Sequence, residues 1–417
     1  MPAATPVPRG PSVLTLYTAA DLLTGPGCPV CRYAGEAADR YLAWFALEGH
    51  ADVVTITRLC SSLGMCPRHT RGLMSQPGAA NRLTAVYQYV MRAARDRLSG
   101  GGTRLGACPG CGHDDDSTDR ALDTLLEGLA DYPVRDRYRE LGGLCIAHLR
   151  RASARGTRQT LAWLSQTMTT AAGSGPACPG WLAGTDHDTD VRAALRLAAR
   201  ASAPHGSQAC VACLAAVHAE DDGLARILRV PRVPRAGDRG QPDGRLLLCG
   251  DHLGDAVALA GPRDAPSLLA WQADCLAAGL ARHRAPAGGP AGWLRIRRRH
   301  GGAATGGCLV CQSSEDAAQR AVAGLGAARH ARPPVPGRQA PLCVRHLLAL
   351  SALDPWAGHV MTPCAVEHAD TLIAELDLAF SKNTWAHRHE VRGPEMTAWR
   401  RAAAFLDGRA GQLSGMP

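Results

Sequence analysis

A Cys-x2-Cys followed by a Cys-x2-His occurs four times in this chain, and no other feature restricts the possible folds so tightly. The copies are Cys28/Cys31 with Cys66/His69, Cys108/Cys111 with Cys145/His148, Cys210/Cys213 with Cys249/His252, and Cys308/Cys311 with Cys343/His346. The gaps within copies are 34, 33, 35 and 31 residues. Twelve of the 16 cysteines are used, leaving Cys60, Cys178, Cys275 and Cys364. Periods of this kind mark an internal repeat.

Three thiolates and one imidazole make a closed tetrahedral N/S shell, the set that suits structural Zn²⁺. On this reading the chain carries four Zn²⁺ ions, one per copy. A tight turn points both sulfurs of a Cys-x2-Cys the same way, and the Cys-x2-His does likewise from a second segment. The long gap means that a whole helix leaves and returns, so the ion ties two distant helix starts together. An iron–sulfur cluster on the same ligands is the alternative. A dithiol redox site has no βαβ context here. An open catalytic zinc would lack a protein ligand, and no copy does.

The copies also agree away from the ligands. Leu42, Leu122, Leu224 and Val322 fall eleven positions after the second Cys; Arg40, Arg120 and Arg320 fall nine after it. Met65, Leu144, Leu248 and Leu342 each precede the third Cys, and Tyr87, Trp163 and Trp271 recur about twenty residues beyond it. After Cys31, Ala34, Ala37, Ala38, Tyr41, Leu42 and Phe45 recur at helical steps. Asp114 to Asp119 provide capping residues and first-turn acids to the next copy's helix. A third helix is predicted at about 81–98, 158–171, 267–282 and 365–380. No period-two strand of useful length appears. The expected fold is all-α: four tandem three-helix modules, with ligands at the N-termini of two helices in each.

The joints give the boundaries. Residues 1–27 read as an N-terminal extension, and 28–98 and 108–173 as modules one and two. Residues 174–207 form an insert with one helix near 190–201, and 208–283 form module three. A basic Pro/Gly linker, 284–307, precedes module four at 308–380, and 381–417 form a tail. Pro-rich stretches at 230–244 and 332–341 are expected to shorten the first helix of modules three and four. In the tail, Glu395, Met396, Trp399, Ala403 and Leu406 mark one side of an amphipathic helix expected to pack back onto module four or a neighbouring repeat.

Charge and composition narrow the function classes. Formal net charge is +9. A zinc ion with three thiolates carries −1, so a loaded chain is about +5. That excess does not by itself argue for nucleic acid. Only one lysine, Lys382, stands among 46 basic residues. The absence of an apolar run of about 18 residues argues against a membrane span, and the proline-rich N-terminus lacks the apolar core of a secretory signal. Sixteen cysteines without an export signal argue against a disulfide framework and for a cytoplasmic protein. Arg295, Arg297, Arg298 and Arg299 are candidate phosphate contacts, with a solvated linker favoured. His218 with Asp221 and Asp222, and His387 with His389 and Glu390, are candidate second metal sites, with exposed surface favoured for both. Cys60 and the three other spare cysteines read as structural thiols. No familiar phosphate, acyl-transfer or protease motif is present.

Cys28-Pro-Val-Cys31-Arg32 with Cys66-Pro-Arg-His69 resembles a family of uncharacterised bacterial proteins, a domain of unknown function, built from such modules. The segment Glu395-x3-Trp399-Arg400-Arg401-Ala402, ending at Leu406-Asp407-Gly408, is similar to that family's C-terminal end. Copy three departs from the pattern at Val211. The resemblance implies an all-helical metal-binding protein and names no reaction. The expected function is therefore a non-catalytic scaffold or adaptor for a protein partner, favoured over nucleic acid. The alternative is an iron–sulfur or redox accessory protein.

Overall fold

The computed structural model describes residues 11–167, 210–229, 248–283, 308–331 and 342–408, apart from a few positions within these stretches. Among the described residues there are fourteen α-helices and no strand. They are α1 (Val13–Leu22), α2 (Pro29–Leu47), α3 (Val53–Ser62), α4 (Pro67–Met74), α5 (Ala79–Asp96), α6 (Pro109–Gly128) and α7 (Tyr132–Glu140). Then follow α8 (Ile146–Ala152), α9 (Val211–Arg229), α10 (Gly250–His283), α11 (Leu309–Ala331), α12 (Val344–Leu353), α13 (Pro355–Lys382) and α14 (Ala398–Leu406). None is long and apolar enough to cross a membrane.

The chain divides into two compact units, each assembled from three separate segments. Unit 1 comprises Met1–Glu36, Asp116–Arg196 and Asp222–Gln312; unit 2 comprises Ala37–Asp115, Leu197–Asp221 and Ser313–Pro417. These boundaries cut across the expected modules, because each of α2, α6, α9 and α11 begins in one unit and ends in the other.

Each unit has its own core of leucine, alanine and valine with a few aromatics. In unit 1, Leu23, Leu122, Leu125, Tyr138, Leu149, Leu224, Leu253 and Trp271 pack together. In unit 2 the core contains Phe45, Leu59, Leu83, Met91, Leu347, Met361, Leu372 and Trp399. The repeated apolar positions are the centres of these cores: Leu42, Leu122, Leu224 and Val322 are buried, as are Met65, Leu144, Leu248 and Leu342.

Several expectations need correction. The extension at 1–27 holds α1, whose Ala19 and Leu22 join the unit 1 core. The first two copies contain an additional helix, α3 or α7, between the ligand pairs. The first helix of copies three and four is not shortened: α9 and α11 have 19 and 23 residues, against 19 and 20 for α2 and α6. The proline-rich stretches follow these helices and lie outside the described residues, as do the insert helix near 190–201, the basic linker 284–307 and Cys178. The helix predicted at 81–98 is α5. The one near 267–282 is the second half of α10, which breaks at Gly261 (φ 70°, ψ 175°). The one near 365–380 is the latter part of α13, while residues 158–171 are only partly described.

The C-terminal helix α14 docks on α5 and α13 in unit 2, burying Trp399, Ala403 and Leu406. Lys382, the sole lysine, fastens this end. Its Nζ donates to Glu395 Oε1 at 2.9 Å and to the Val391 carbonyl at 2.6 Å.

Candidate metal centres

All sixteen predicted ligands come together in four groups, each with three Cys and one His. The groups are not the copies. Site I is Cys28, Cys31, Cys145 and His148; site II is Cys66, His69, Cys108 and Cys111. Site III is Cys210, Cys213, Cys343 and His346; site IV is Cys249, His252, Cys308 and Cys311. Each Cys-x2-Cys meets the Cys-x2-His of the neighbouring copy, so the expected pairing within a copy is overturned. The sites are nested: site II closes inside the chain loop bounded by site I, and site IV inside that bounded by site III. Sites I and IV fall in unit 1, sites II and III in unit 2.

Helix length explains the crossing. At 1.5 Å per residue, α2 carries the chain roughly 28 Å from Cys28, and the ten-residue α3 recovers at most about 15 Å. The helical part of the return is thus shorter than the outward helix, and Cys66 and His69 meet Cys108 and Cys111 instead.

The local device is the same in every half-site. One ligand sits at the helix N-cap and the next at the third helical residue, both on the face that looks along the helix start. Cys66, Cys145 and Cys343 are N-caps with nearly identical extended backbones, ψ 163°, 164° and 163°. The His148 amide is 3.5 Å from Cys145 Sγ. Two helix N-termini thus converge on each centre, and their unpaired N–H groups and dipoles favour the negative charge of thiolates.

The donor spacing fits one tetrahedral ion. Bonds of about 2.3 Å to sulfur and 2.0–2.1 Å to nitrogen require S···S edges near 3.8 Å and S···N edges near 3.5 Å. One S···S edge measures 3.6 Å at site I, 3.6 Å at site II, 3.9 Å at site III and 3.7 Å at site IV, and all ligand atoms of a group lie within 4.8 Å of one another. Sulfur to imidazole Nδ1 runs from 3.1 Å (Cys66–His69) to 3.7 Å (Cys108–His69). All four histidines face their cysteines through Nδ1.

Charge within each group is unevenly held, and this also argues for a cation. Burial raises the Cys28 thiol, but hydrogen bonding with Cys145 and Cys31 and the charge of His148 bring it well below the usual value. Its neighbour Cys31 is held well above, by Cys145 and Cys28 and by burial. Hydrogen bonding within the groups likewise lowers Cys108, Cys210 and Cys308 and raises Cys111, Cys213 and Cys249. Burial disfavours charge on His69, but Asp114 and the thiolates outweigh it and push it up to about 11. His148, His252 and His346 are pushed up to about 10 against the same opposition. Thiolates so close cannot all ionise together unless positive charge lies among them.

Outer contacts hold the ligand turns. At site II, His69 Nε2 donates to Asp114 Oδ2 at 2.9 Å, and Arg68 pairs with the same carboxylate. A carboxylate behind a ligating histidine fixes its tautomer and ring orientation. Asp114 was expected among capping and first-turn acids, but α6 starts at Pro109 and carries Asp114 in its second turn. A Cβ at Gly110 would stand 2.6 Å from His69 Cγ, so the ring and this turn demand glycine. At site III, Arg345 pairs with Asp407 at 3.2 Å, and a Cβ at Gly408 would stand 2.9 Å from Cys213 Sγ. The C-terminal segment therefore lies against that site. In unit 1 the anchoring is internal. The Leu144 amide donates to Tyr138 Oη at 2.8 Å, and the Leu248 amide donates to Gln272 Oε1 at 2.9 Å.

The weaker candidates form no further metal group among the described residues. His218, Asp221 and Asp222 are exposed. His387 Nδ1 meets Glu390 Oε1 at 2.6 Å on the surface, and His389 is exposed. Arg295, Arg297, Arg298 and Arg299 lie outside the described residues. None of the fifteen described cysteines is in a disulfide; Cys275 is fully buried, and Cys60 and Cys364 are half-buried. No family model, curated protein or solved structure matches the chain.

Proposed function

We propose that the protein is a cytoplasmic, non-catalytic scaffold that holds four structural Zn²⁺ ions and presents its helices to a protein partner. The observation that carries this reading is that every centre brings four protein ligands, three Cys and one His, within 4.8 Å of one another. Such a shell leaves no position for a substrate, unlike a catalytic zinc. A bound ion would supply cross-linking of distant helix starts, worth roughly 10–16 kcal/mol of apparent binding energy in small zinc peptides. The residues themselves place thiolates at helix N-termini, exclude most water and orient His69 through Asp114.

The iron–sulfur alternative is less well supported. The ligand atoms of each group all lie within 4.8 Å of one another. A cluster distributes its ligands over several irons and so spreads them more widely.

A protein partner is favoured by α1. Its inner side is buried, while Val13, Leu14 and Tyr17 are largely exposed on the same short helix. Exposed apolar clusters of this kind commonly mark interaction sites. Against nucleic acid, three of the five arginines of α7 and α8 are paired with carboxylates: Arg137 with Glu140, Arg139 with Asp136, and Arg151 with Asp119.

Elemental analysis with a visible spectrum, on protein purified without oxygen, tests the metal. Four zinc per chain and no colour are expected; iron, sulfide and a brown band would replace this reading with the cluster protein. Replacing Arg295, Arg297, Arg298 and Arg299 by Gln is expected to leave any residual nucleic-acid binding unaltered. A large loss of a salt-dependent affinity would move the function toward nucleic acid.

A further inference from the structure

The four centres share a ligand set but differ in their access to solvent. Of the sixteen ligands, Cys311 alone is exposed. Site III has three buried cysteines, and site I has Cys28 and Cys145 buried. Site II has three half-buried cysteines, but its histidine is clamped by Asp114 and its outer edge carries Arg68.

Charge around the centres differs in the same sense. The position just before the ligating histidine is Arg68 at site II, Ala147 at site I and Arg345 at site III. At site IV it is Asp251, an exposed first-turn acid. A centre of one divalent ion and three thiolates is already anionic, so an adjacent carboxylate leaves more electron density on sulfur, whereas an arginine draws it off. The most exposed cysteine ligand thus belongs to the only centre whose histidine is preceded by an acid. Nucleophilic reactivity of cysteine follows thiolate character and access together.

We propose that site IV is the exchangeable centre of the four, with Cys311 as the sulfur through which soft electrophiles and competing thiol ligands reach its ion. This rests on reading the Cys3His groups as metal centres. Sites I, II and III are then the permanent cross-links, and site IV is the one whose occupancy follows the surroundings.

The chemistry is simple addition. With N-ethylmaleimide, the Cys311 sulfur forms the new C–S bond, water delivers a proton to the adjacent carbon, and the metal–sulfur bond breaks because a thioether is a poor ligand. One maleimide is consumed per ion released.

The experiment treats the full-length, metal-loaded protein with limiting N-ethylmaleimide and follows released zinc with a chromogenic chelator. Fragment mass spectrometry then locates the label. One ion of four is expected to leave about tenfold faster than the next, with Cys311 as the first ligand modified. Asp251→Asn is expected to keep four ions and slow that first release about threefold. Release of all four at a common rate, or first ligand labelling in another site, would overturn the proposal. An unchanged rate in Asp251→Asn would remove its electrostatic half. A chain holding no metal before the reagent is added would overturn the metal-centre reading itself, a result distinct from four bound ions leaving in the wrong order.

Discussion

Units 1 and 2 each hold two Cys3His centres, but they restrain the Cys-x2-His turn from opposite sides. In unit 1 the restraint is internal: a buried Tyr138 or Gln272 accepts the amide of the residue ahead of the third cysteine. In unit 2 it is peripheral: Arg68 and Arg345, next to the histidine, reach out to Asp114 and Asp407. The same motif therefore tolerates two solutions, because the N-cap geometry is local and only its anchorage depends on the surrounding helices. The sequence difference behind this is small, arginine against alanine or aspartate at one position.

The largest effect expected bears on the crossed pairing that both units share. Cys145→Ser is expected to cost one of four ions, a centre worth roughly 10 kcal/mol or more in apparent affinity. Alkylation mapping should then find Cys28 and Cys31 exposed while Cys108 and Cys111 stay protected. Labelling of Cys108 and Cys111 instead would restore pairing within the copy.

The two anchorages can be broken separately. Asp114→Asn is expected to weaken site II by about 10–100-fold, as loss of a carboxylate behind a ligating histidine does elsewhere. Competition with a chelator would read this, with site I unchanged as the internal control. Tyr138→Phe leaves the buried Leu144 amide without its acceptor, at a cost of about 1–3 kcal/mol. Denaturant unfolding should register that loss, and it should fall on unit 1. Equal responses of sites I and II to both substitutions would erase the distinction between the units.

The smallest effect concerns the Lys382–Glu395 clamp. The Gly393 amide and then Lys382 hold the Glu395 carboxyl down, to about 2. A carboxylate lowered on folding contributes stability that is complete above its unfolded value, near 4.5, and disappears as pH falls through about 2. Glu395→Gln should therefore lower the thermal midpoint at pH 6, and the gap from the unaltered protein should close as pH is brought below 4. A gap that does not change with pH would show that Glu395 acts by packing alone.

What was legible in the sequence was whatever repeats. The sixteen ligands and the apolar residues at fixed offsets recur in every copy, and they are the centres and cores of the structure. Pairing was not legible, because in the first two copies each half-site is followed by the next after 34, 38 and 33 residues, and these gaps do not say which two meet. The decisive quantity is the length of unbroken helix between them. Helix α3 was missed because Val53, Val54, Thr55, Ile56 and Thr57 form a β-branched run. Asp52 overrides it by accepting the Thr55 amide at 2.7 Å. Helix α1 was hidden by prolines ahead of it and by apolar residues on its exposed side. Asp114 was hidden among Asp115 and Asp116, since nothing in sequence says which acid faces the histidine.

The nested closure also sets a calendar for synthesis. Cys31 and its partner Cys145 are 114 positions apart. At about 5–20 residues per second, the first cysteine pair waits roughly 6–23 s for its partners to leave the ribosome. Cys66 and His69 emerge well before that, as a complete but incorrect set of partners. All four ligands of site II, the last being Cys111, precede Cys145 in the chain. If each group takes up its ion as its last ligand emerges, a nascent chain halted between these events would carry a loaded clasp inside an open one.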